Sequence, residues 1–106
     1  MNFKGTLPTL ILEALAAEPS HGYRIGQKIK ERSHGVLDFK EGTLYPALHS
    51  LETKGLIASY SREENGRTRC YYKLTEAGKR ALATEKQEWM RVSSAISLLL
   101  QEAQPN

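Results

Sequence analysis

The side chains best suited to chemistry in this 106-residue chain are cations rather than nucleophiles. From Asn65 to Lys73 the sequence contains no acidic residue and three basic ones: Arg67, Arg69 and Lys73. Residues an even number apart in a β-strand share a face, so these three would line one side of a strand with Tyr71. A row of cations is typical of a surface that binds phosphate groups. A solvated ribbon without a ligand would also carry charges, and that alternative stays open.

No catalytic or metal-binding constellation is evident in the sequence. His21, His34 and His49 are scattered, no glycine-rich phosphate loop follows a strand, and no metal-ligand spacing occurs. The single cysteine, Cys70, cannot form an internal disulfide, and we interpret it as a half-buried filler rather than a redox sensor. The sequence therefore predicts a protein that is not an enzyme and that uses no cofactor or metal.

Three helices are predicted in the first half of the chain. Apolar residues at three- and four-residue spacing indicate helices over residues 6–17, 20–34 and 41–54. Ser20 and Thr43 are placed to cap the N-termini of the second and third helices. Pro46 is expected in the first turn of the third helix, where a missing N–H has no intrahelical acceptor to lose.

A hairpin and a long helix complete the predicted order. Strand-like runs over residues 56–63 and 67–74 flank Asn65-Gly66, the strongest short signal for a tight hairpin turn. Thr75 would cap a final helix of about 26 residues, about 39 Å long, which exceeds the small body before it. We predict a mainly α fold with a small β-hairpin. Residues 1–75 would form a winged helix-turn-helix domain, and residues 76–106 a dimerisation helix with a frayed end.

The third helix has an apolar stripe and an opposite side that is free to contact a ligand. The stripe comprises Leu44, Ala47, Leu48 and Leu51. The other side is centred on Gly42 and carries small, polar or aromatic groups. Together with Thr43 at the N-terminal end of the helix, six residues are candidates for contact: Thr43, Tyr45, Pro46, His49, Ser50 and Thr53. In a helix-turn-helix the second helix enters the major groove and the preceding helix contacts the backbone. We predict these six as DNA contacts, with Tyr23 on the preceding helix. Tyr45 could instead pack over the core edge, and Thr43 could be only a cap.

The final helix carries an apolar stripe that is suited to pairing. Its members are Leu82, Trp89, Val92, Ile96 and Leu99. Such a stripe either folds back on the first helix or pairs with a second copy, and we favour a homodimer with two wings and two reading helices. Trp89, the only tryptophan, is either simple interface packing or the aromatic wall of a ligand pocket between subunits.

Charge and hydropathy restrict the partners and the compartment. The net charge is +3 and the pI about 9.1, and the whole excess of cations lies in residues 1–75, which favours a polyanionic partner. No apolar run reaches the roughly 18–20 residues of a membrane span. With a single cysteine as well, we predict a cytoplasmic protein without a membrane partner.

Three blocks of the sequence resemble the PadR family of transcriptional regulators. They are Ser20-His21-Gly22-Tyr23, Gly42-Thr43-Leu44-Tyr45-Pro46-Ala47-Leu48, and Tyr71-Tyr72-Lys73-Leu74-Thr75-Glu76-Ala77-Gly78. The resemblance implies a homodimeric, usually repressive winged-helix regulator whose C-terminal helix makes the dimer. Residues 88–92 are similar to the tail of multidrug-binding members, in which a tryptophan stacks on flat aromatic ligands. Cys70 departs from the family, where Lys or Arg is common.

Residues and resemblance together predict a sequence-specific DNA-binding transcriptional regulator. It would act as a repressor and homodimer, bind double-stranded DNA, and be released by a small planar aromatic effector at Trp89. The alternative is a winged-helix module that docks the hairpin face on an acidic protein and reads no DNA.

Overall fold

The computed structural model of the chain describes residues 4–101, so the predicted frayed end at residues 102–106 lies outside the described part. After a 3-10 turn (Lys4–Thr6), the elements are α1 (Leu7–Ala17), β1 (Ser20–His21), α2 (Gly22–Arg32), α3 (Glu41–Thr53), β2 (Ile57–Glu64), β3 (Arg67–Leu74) and α4 (Glu76–Leu100). This is a helix-turn-helix followed by a β-wing and a long helix, which confirms the predicted fold class. None of the helices in residues 4–101 combines the length and apolar composition that a membrane span requires.

The hydrophobic core is built around α1, which contacts α2, α3, β3 and α4. Leu7, Ile11 and Leu12 of α1 are almost completely buried, because the helix is covered on several sides. The predicted apolar stripe of α3 faces this core, with Leu44, Leu48 and Leu51 buried and Ala47 half-buried. The opposite side of α3 is therefore turned outward.

The sheet has three antiparallel strands in the order β1-β3-β2, whereas a two-stranded ribbon was expected. The additional strand pairs Ser20 with Tyr72 and His21 with Tyr71. Ser20 as the cap of α2 is consequently wrong. Pairing with Tyr72 places Ser20 one residue before the N-cap position of α2. Its hydroxyl instead accepts a hydrogen bond of 2.8 Å from Lys28 Nζ. His21 is the N-cap residue of α2.

The hairpin between β2 and β3 confirms the Asn-Gly prediction. Asn65 has φ of 51° and Gly66 has φ of 77°, and two successive residues in the left-handed region are what a type I′ turn requires. The two-residue turn fixes the register of the whole hairpin, placing Glu64 opposite Arg67 and, farther from the turn, Arg62 opposite Arg69. We call β2, β3 and this turn the wing.

The first turn of α3 lies where it was predicted, but its cap and the position of Pro46 differ from the prediction. The helix begins at Glu41, with Lys40 as the N-cap residue, and the Lys40 carbonyl accepts the N–H groups of Thr43 and Leu44, both at 2.9 Å. Thr43 is therefore not the cap, and Pro46 lies inside the helix rather than in its first turn. The acidic Glu41 in the first turn interacts favourably with the helix dipole, which supports a start at this residue.

The start of α4 is capped as predicted and is packed tightly against the loop before β2. Thr75 Oγ1 accepts the Gly78 N–H at 3.0 Å, and the Thr75 hydroxyl donates to the Gly55 carbonyl at 2.7 Å. A Cβ atom on Gly78 would lie 2.0 Å from the Leu56 carbonyl oxygen. Only glycine permits this approach, so the position fixes the direction in which α4 leaves the body.

Most of α4 is exposed, although Lys86 still forms an ion pair of 3.2 Å with Glu13 of α1. Leu82 is its last buried residue and belongs to the core, with only 7% of its surface exposed. The prediction that Leu82 forms part of a pairing surface is thus wrong, because this turn of α4 is still covered by the chain's own core. The rest of the predicted stripe is accessible: Trp89, Val92, Ile96 and Leu99 are half-buried or exposed.

Candidate nucleic-acid interface

The two sides of the wing differ sharply in chemistry. The outer face carries Tyr60, Arg62, Glu64, Arg67, Arg69, Tyr71 and Lys73. The inner face carries Ser59, Ser61, Glu63, Thr68, Cys70 and Tyr72. Tyr72 belongs to the main core, so the inner face rests on the body near α4 and becomes exposed toward the turn.

The outer face contains one more cation and one more acid than β3 alone suggested. Arg62 joins Arg67, Arg69 and Lys73, but Glu64 interrupts the row, so this face is not free of acids. Period two in β2, combined with the two-residue turn, was the signal that could have placed both residues.

Glu64 is the centre of a polar cluster on the outer face. Its Oε1 accepts a hydrogen bond from the Tyr71 hydroxyl, and its two oxygens lie 3.9 Å from Arg62 Nε and 3.6 Å from Arg69 Nε. The Tyr71 hydrogen bond, followed by the two guanidinium groups, lowers the pKa of Glu64, although partial burial opposes this. The same hydrogen bond raises the pKa of Tyr71. Glu64 is therefore ionised and Tyr71 protonated at neutral pH.

His21 joins the helix-turn-helix to the wing. Its Nδ1 accepts the Arg24 N–H at 3.2 Å, and its Nε2 lies 3.2 Å from Arg69 Nη1. A neutral imidazole has one acceptor nitrogen, so His21 can accept from Arg24 or from Arg69 but not from both. Desolvation and then the charge of Arg69 lower the pKa of His21, and protonation would remove both acceptors.

Aromatic rings surround this cluster. The Tyr71 ring is buried on the outer face, edge-on to His21 at 5.5 Å and tilted against Tyr60 at 5.9 Å. The guanidinium carbon of Arg62 lies 5.0 Å from the centre of the Tyr71 ring, and Lys73 Nζ lies 5.7 Å from that of Tyr60. Both distances are in the range of cation–π attraction, which restrains the cations without neutralising them.

The side chains predicted to contact DNA from α3 divide into two groups. Pro46, His49, Ser50 and Thr53 are exposed, whereas Thr43 and Tyr45 are half-buried. The Tyr45 ring packs on the core and on Gly22, where a Cβ atom would lie 2.8 Å from the Tyr45 hydroxyl. Tyr45 thus adopts the alternative role foreseen for it, that of packing over the core edge. Through Gly22 it connects α3 to the start of α2 and to His21.

Two further residues named in the sequence analysis are Tyr23, beside the wing, and Cys70, within it. Tyr23 is 59% exposed at the start of α2, nearly parallel to the His21 ring, with 6.4 Å between the ring centres. Cys70 is exposed rather than half-buried, because the inner face of the wing has left the body at this point. Within residues 4–101, no group of three or more His, Cys, Asp or Glu side chains is placed to hold a metal ion.

A groove of about 800 Å³ lies between α1, the loop after α2, and α4. Its apolar lining includes Leu10, Val36, Leu37, Trp89, Met90 and Val92. Trp89 is 56% exposed, so much of its ring is available to another molecule.

Residues 11–84 match the model of the transcriptional regulator PadR-like family. A transcriptional regulator of Mycobacterium tuberculosis is 38% identical over 76 residues, which cover 72% of this chain and 68% of that protein. An uncharacterised protein of Lysinibacillus sphaericus is 33% identical over 99 residues, or 92% of this chain and 91% of that protein.

Solved structures resemble nearly the whole chain. A transcriptional regulator from Clostridium thermocellum has a TM-score of 0.85 at 32% identity, covering 93% of this chain and 97% of that one. A PadR family transcription regulator from Clostridium difficile has a TM-score of 0.80 at 36% identity, covering 91% of this chain and 99% of that one.

The lowered pKa of His21 predicts sensitivity of the fold to mild acid. A histidine with a depressed folded-state pKa stabilises fully above its unfolded-state pKa and loses that contribution as the pH falls. Denaturant unfolding of the wild type should show a falling free energy of unfolding from about pH 7 to about pH 5. His21→Asn, which retains a capping acceptor and cannot be protonated, should flatten this dependence.

His34→Asn is the matched control for this measurement. His34 is exposed and has φ of 54°, a conformation that asparagine tolerates. It should keep the pH dependence of the wild type. An equally steep loss of stability in His21→Asn would contradict the assignment.

Proposed function

The chain belongs to the PadR-like family of transcriptional regulators, and from this premise we propose that it represses transcription as a homodimer that reads duplex DNA with α3 and anchors it with the wing. The observation that carries the proposal is the composition of the outer face of the wing, which has four basic residues and one acidic residue. The cytoplasmic location predicted from the sequence fits a regulator that acts on DNA, and it stays a prediction.

The wing is suited to the phosphate backbone because its cations are concentrated and accessible. Arg67 is exposed beside the turn, and Lys73 is exposed at the other end of β3. Contacts of this kind position a protein on a duplex without reading its sequence, and each releases counterions from the DNA. We assign Arg67, Arg69 and Lys73 to phosphates, and we add Arg62.

Sequence reading is assigned to the exposed side of α3. His49, Ser50 and Thr53 have side chains that can hydrogen-bond to base edges or phosphates, and Pro46 offers an apolar contact. Tyr45 and Thr43 are better suited to holding α3 against α2, because both are half-buried. Tyr23 would contact the backbone from α2, the helix that crosses it in this motif.

The first test separates anchoring from reading, after an operator has been selected from random duplex DNA. Arg67→Ala with Arg69→Ala should weaken binding to all sequences by at least about tenfold. The plot of log affinity against log salt should also become shallower by about 2 per wing. His49→Ala should instead reduce discrimination between operator and random DNA by about 1–3 kcal/mol.

Arg80→Ala with Arg91→Ala removes the same charge from α4 and serves as the control. Both arginines are exposed and lie on the side of α4 opposite Trp89, at about 100° per residue. Equal losses from the wing and α4 pairs would contradict the assignment of phosphate contacts. Salt-independent binding by the wild type would instead favour an acidic protein partner.

The proposal of a dimer rests on the exposed part of α4. Ile96 and Leu99 continue the stripe that begins at Trp89, and Leu99 is 84% exposed. The described chain measures 66 × 27 × 22 Å, so this helix extends past the body that could cover it. A second copy placed by two-fold symmetry would bury both stripes and set the distance between two reading helices. We propose residues 1–75 as the DNA-binding unit and α4 as the dimerisation unit.

The mass in solution tests this pairing. The wild type should have about twice the 11.9 kDa of one chain, and polar replacements of Trp89, Val92 and Ile96 together should give the monomer. Leu98→Gln is the control, because Leu98 is exposed about 180° away from Trp89 on α4. A wild-type monomer at micromolar concentration would refute the dimer.

We further propose that a planar aromatic effector binds in the groove beside Trp89 and releases the DNA. The apolar lining and the exposed indole ring are the features typical of a small-molecule site. The same ring lies on the stripe proposed for pairing, so a ligand there would be able to alter the angle between two subunits.

Tryptophan fluorescence tests whether an effector binds in the groove. Trp89 is the only tryptophan, so all tryptophan emission comes from this site. Planar aromatic compounds should quench its emission at about micromolar concentration and lower the affinity for the operator in the same range. Free tryptophan amide gives the control for non-specific quenching. The absence of quenching across a broad panel of compounds would leave Trp89 as interface packing, whereas quenching without any loss of operator binding would refute the release of DNA by the ligand.

A further inference from the structure

The outer face of the wing contains a conflict between like charges. Arg62 and Arg69 are directly opposite each other across β2 and β3, and like charges in that position repel. Glu64, two residues from Arg62 on the same face, lies between them and contacts both. The Glu64 carboxylate therefore offsets the repulsion between the two guanidinium groups in the free protein.

The contacts that Glu64 makes are those that a DNA phosphate would make. A carboxylate and a phosphate both accept charge-assisted hydrogen bonds from guanidinium groups. Each arginine approaches Glu64 through its Nε atom, while the side chains of Arg62 and Arg69 are 57% and 42% exposed. The arginines are thus held by an internal anion and remain accessible to an external one.

We propose that Glu64 is an internal competitor for DNA phosphate, which holds Arg62 and Arg69 in the free protein and must give them up when the wing binds DNA. Glu64 would then set the affinity of the wing and restrain binding to non-specific DNA, which depends almost wholly on phosphate contacts. The inference rests on the proposed function, in that the wing must touch DNA. It adds an acidic residue whose removal should strengthen binding.

Glu63 provides a matched comparison within the same strand. It is adjacent to Glu64 and exposed, but it lies on the inner face opposite Thr68. Within residues 4–101 its carboxylate makes none of the ion pairs that Glu64 makes. Replacing either residue changes the net charge equally, so equal effects of the two variants would be due to net charge alone.

The experiment compares Glu64→Gln with Glu63→Gln for affinity to random duplex DNA at several salt concentrations. Glutamine at position 64 keeps an acceptor for the Tyr71 hydroxyl, which limits damage to the wing. We expect Glu64→Gln to bind about three- to tenfold more tightly, with a salt slope steeper by about 1. Glu63→Gln should change the affinity by less than about twofold.

A charge-conserving variant keeps the inference falsifiable if Glu64→Gln folds poorly. Glu64→Asp retains the negative charge but shortens its reach toward the arginines, so it should also tighten binding, although less. If Glu64→Gln and Glu63→Gln tighten binding equally, or if Glu64→Asp binds like the wild type, the effect depends on net charge alone. Either result would overturn the inference. Weaker binding by Glu64→Gln would overturn it too, since Glu64 would then position the arginines for DNA.

The arginine variant separates this inference from the proposed function. If Arg67→Ala with Arg69→Ala weakens binding while Glu64→Gln behaves like Glu63→Gln, the wing contacts DNA and only the role of Glu64 is refuted. If neither change alters the affinity, the wing is not a DNA contact and both proposals fail. In the supporting case, Arg62→Ala with Arg69→Ala should abolish the gain from Glu64→Gln.

Discussion

The pairing of two residues, Ser20 and His21, with the centre of β3 is the interaction on which the rest of the structure depends. This short strand brings the helix-turn-helix and the wing into one unit. It ends where α2 begins, so that His21 serves both as a strand residue and as the N-cap. The buried Lys28 reinforces the joint through the Ser20 hydroxyl and an ion pair of 3.2 Å with Glu18.

A consequence of this joint is that a cation of the wing is restrained both from within the wing and from β1. Arg69 lies between His21 on one side and Glu64 on the other, so its guanidinium group is shared by β1 and β2. Surface ion pairs of this kind contribute little to stability, because solvent screens them. Their larger effect is to direct where a flexible cation points before any ligand arrives.

The two ends of α4 differ in environment: the first turns pack against the body and the later turns are exposed to solvent. Its first turns are fixed by the Thr75 cap and by the close approach of Gly78 to Leu56, and they end in the core at Leu82. Its later turns expose Trp89 and Leu99, which a single chain leaves in contact with water. Exposed apolar surface of this extent is typical of interfaces and binding grooves. The fixed first turns therefore set the direction in which the exposed turns of α4 leave the body.

Local patterns in the sequence determined what depends on neighbours along the chain. The Asn65-Gly66 turn, the apolar stripe of α3 and the Thr75 cap follow from backbone preference and periodicity over a few residues. Tertiary structure decided what depends on distant segments: the strand at Ser20, the packing of Tyr45 on Gly22, the burial of Leu82 and the exposure of Cys70. The cations that could bind phosphate were visible in the sequence. Their restraint by Glu64 follows from the register of the hairpin, whereas the contact of Arg69 with His21 appeared only when the fold paired β1 with β3, because that contact joins segments distant in the sequence.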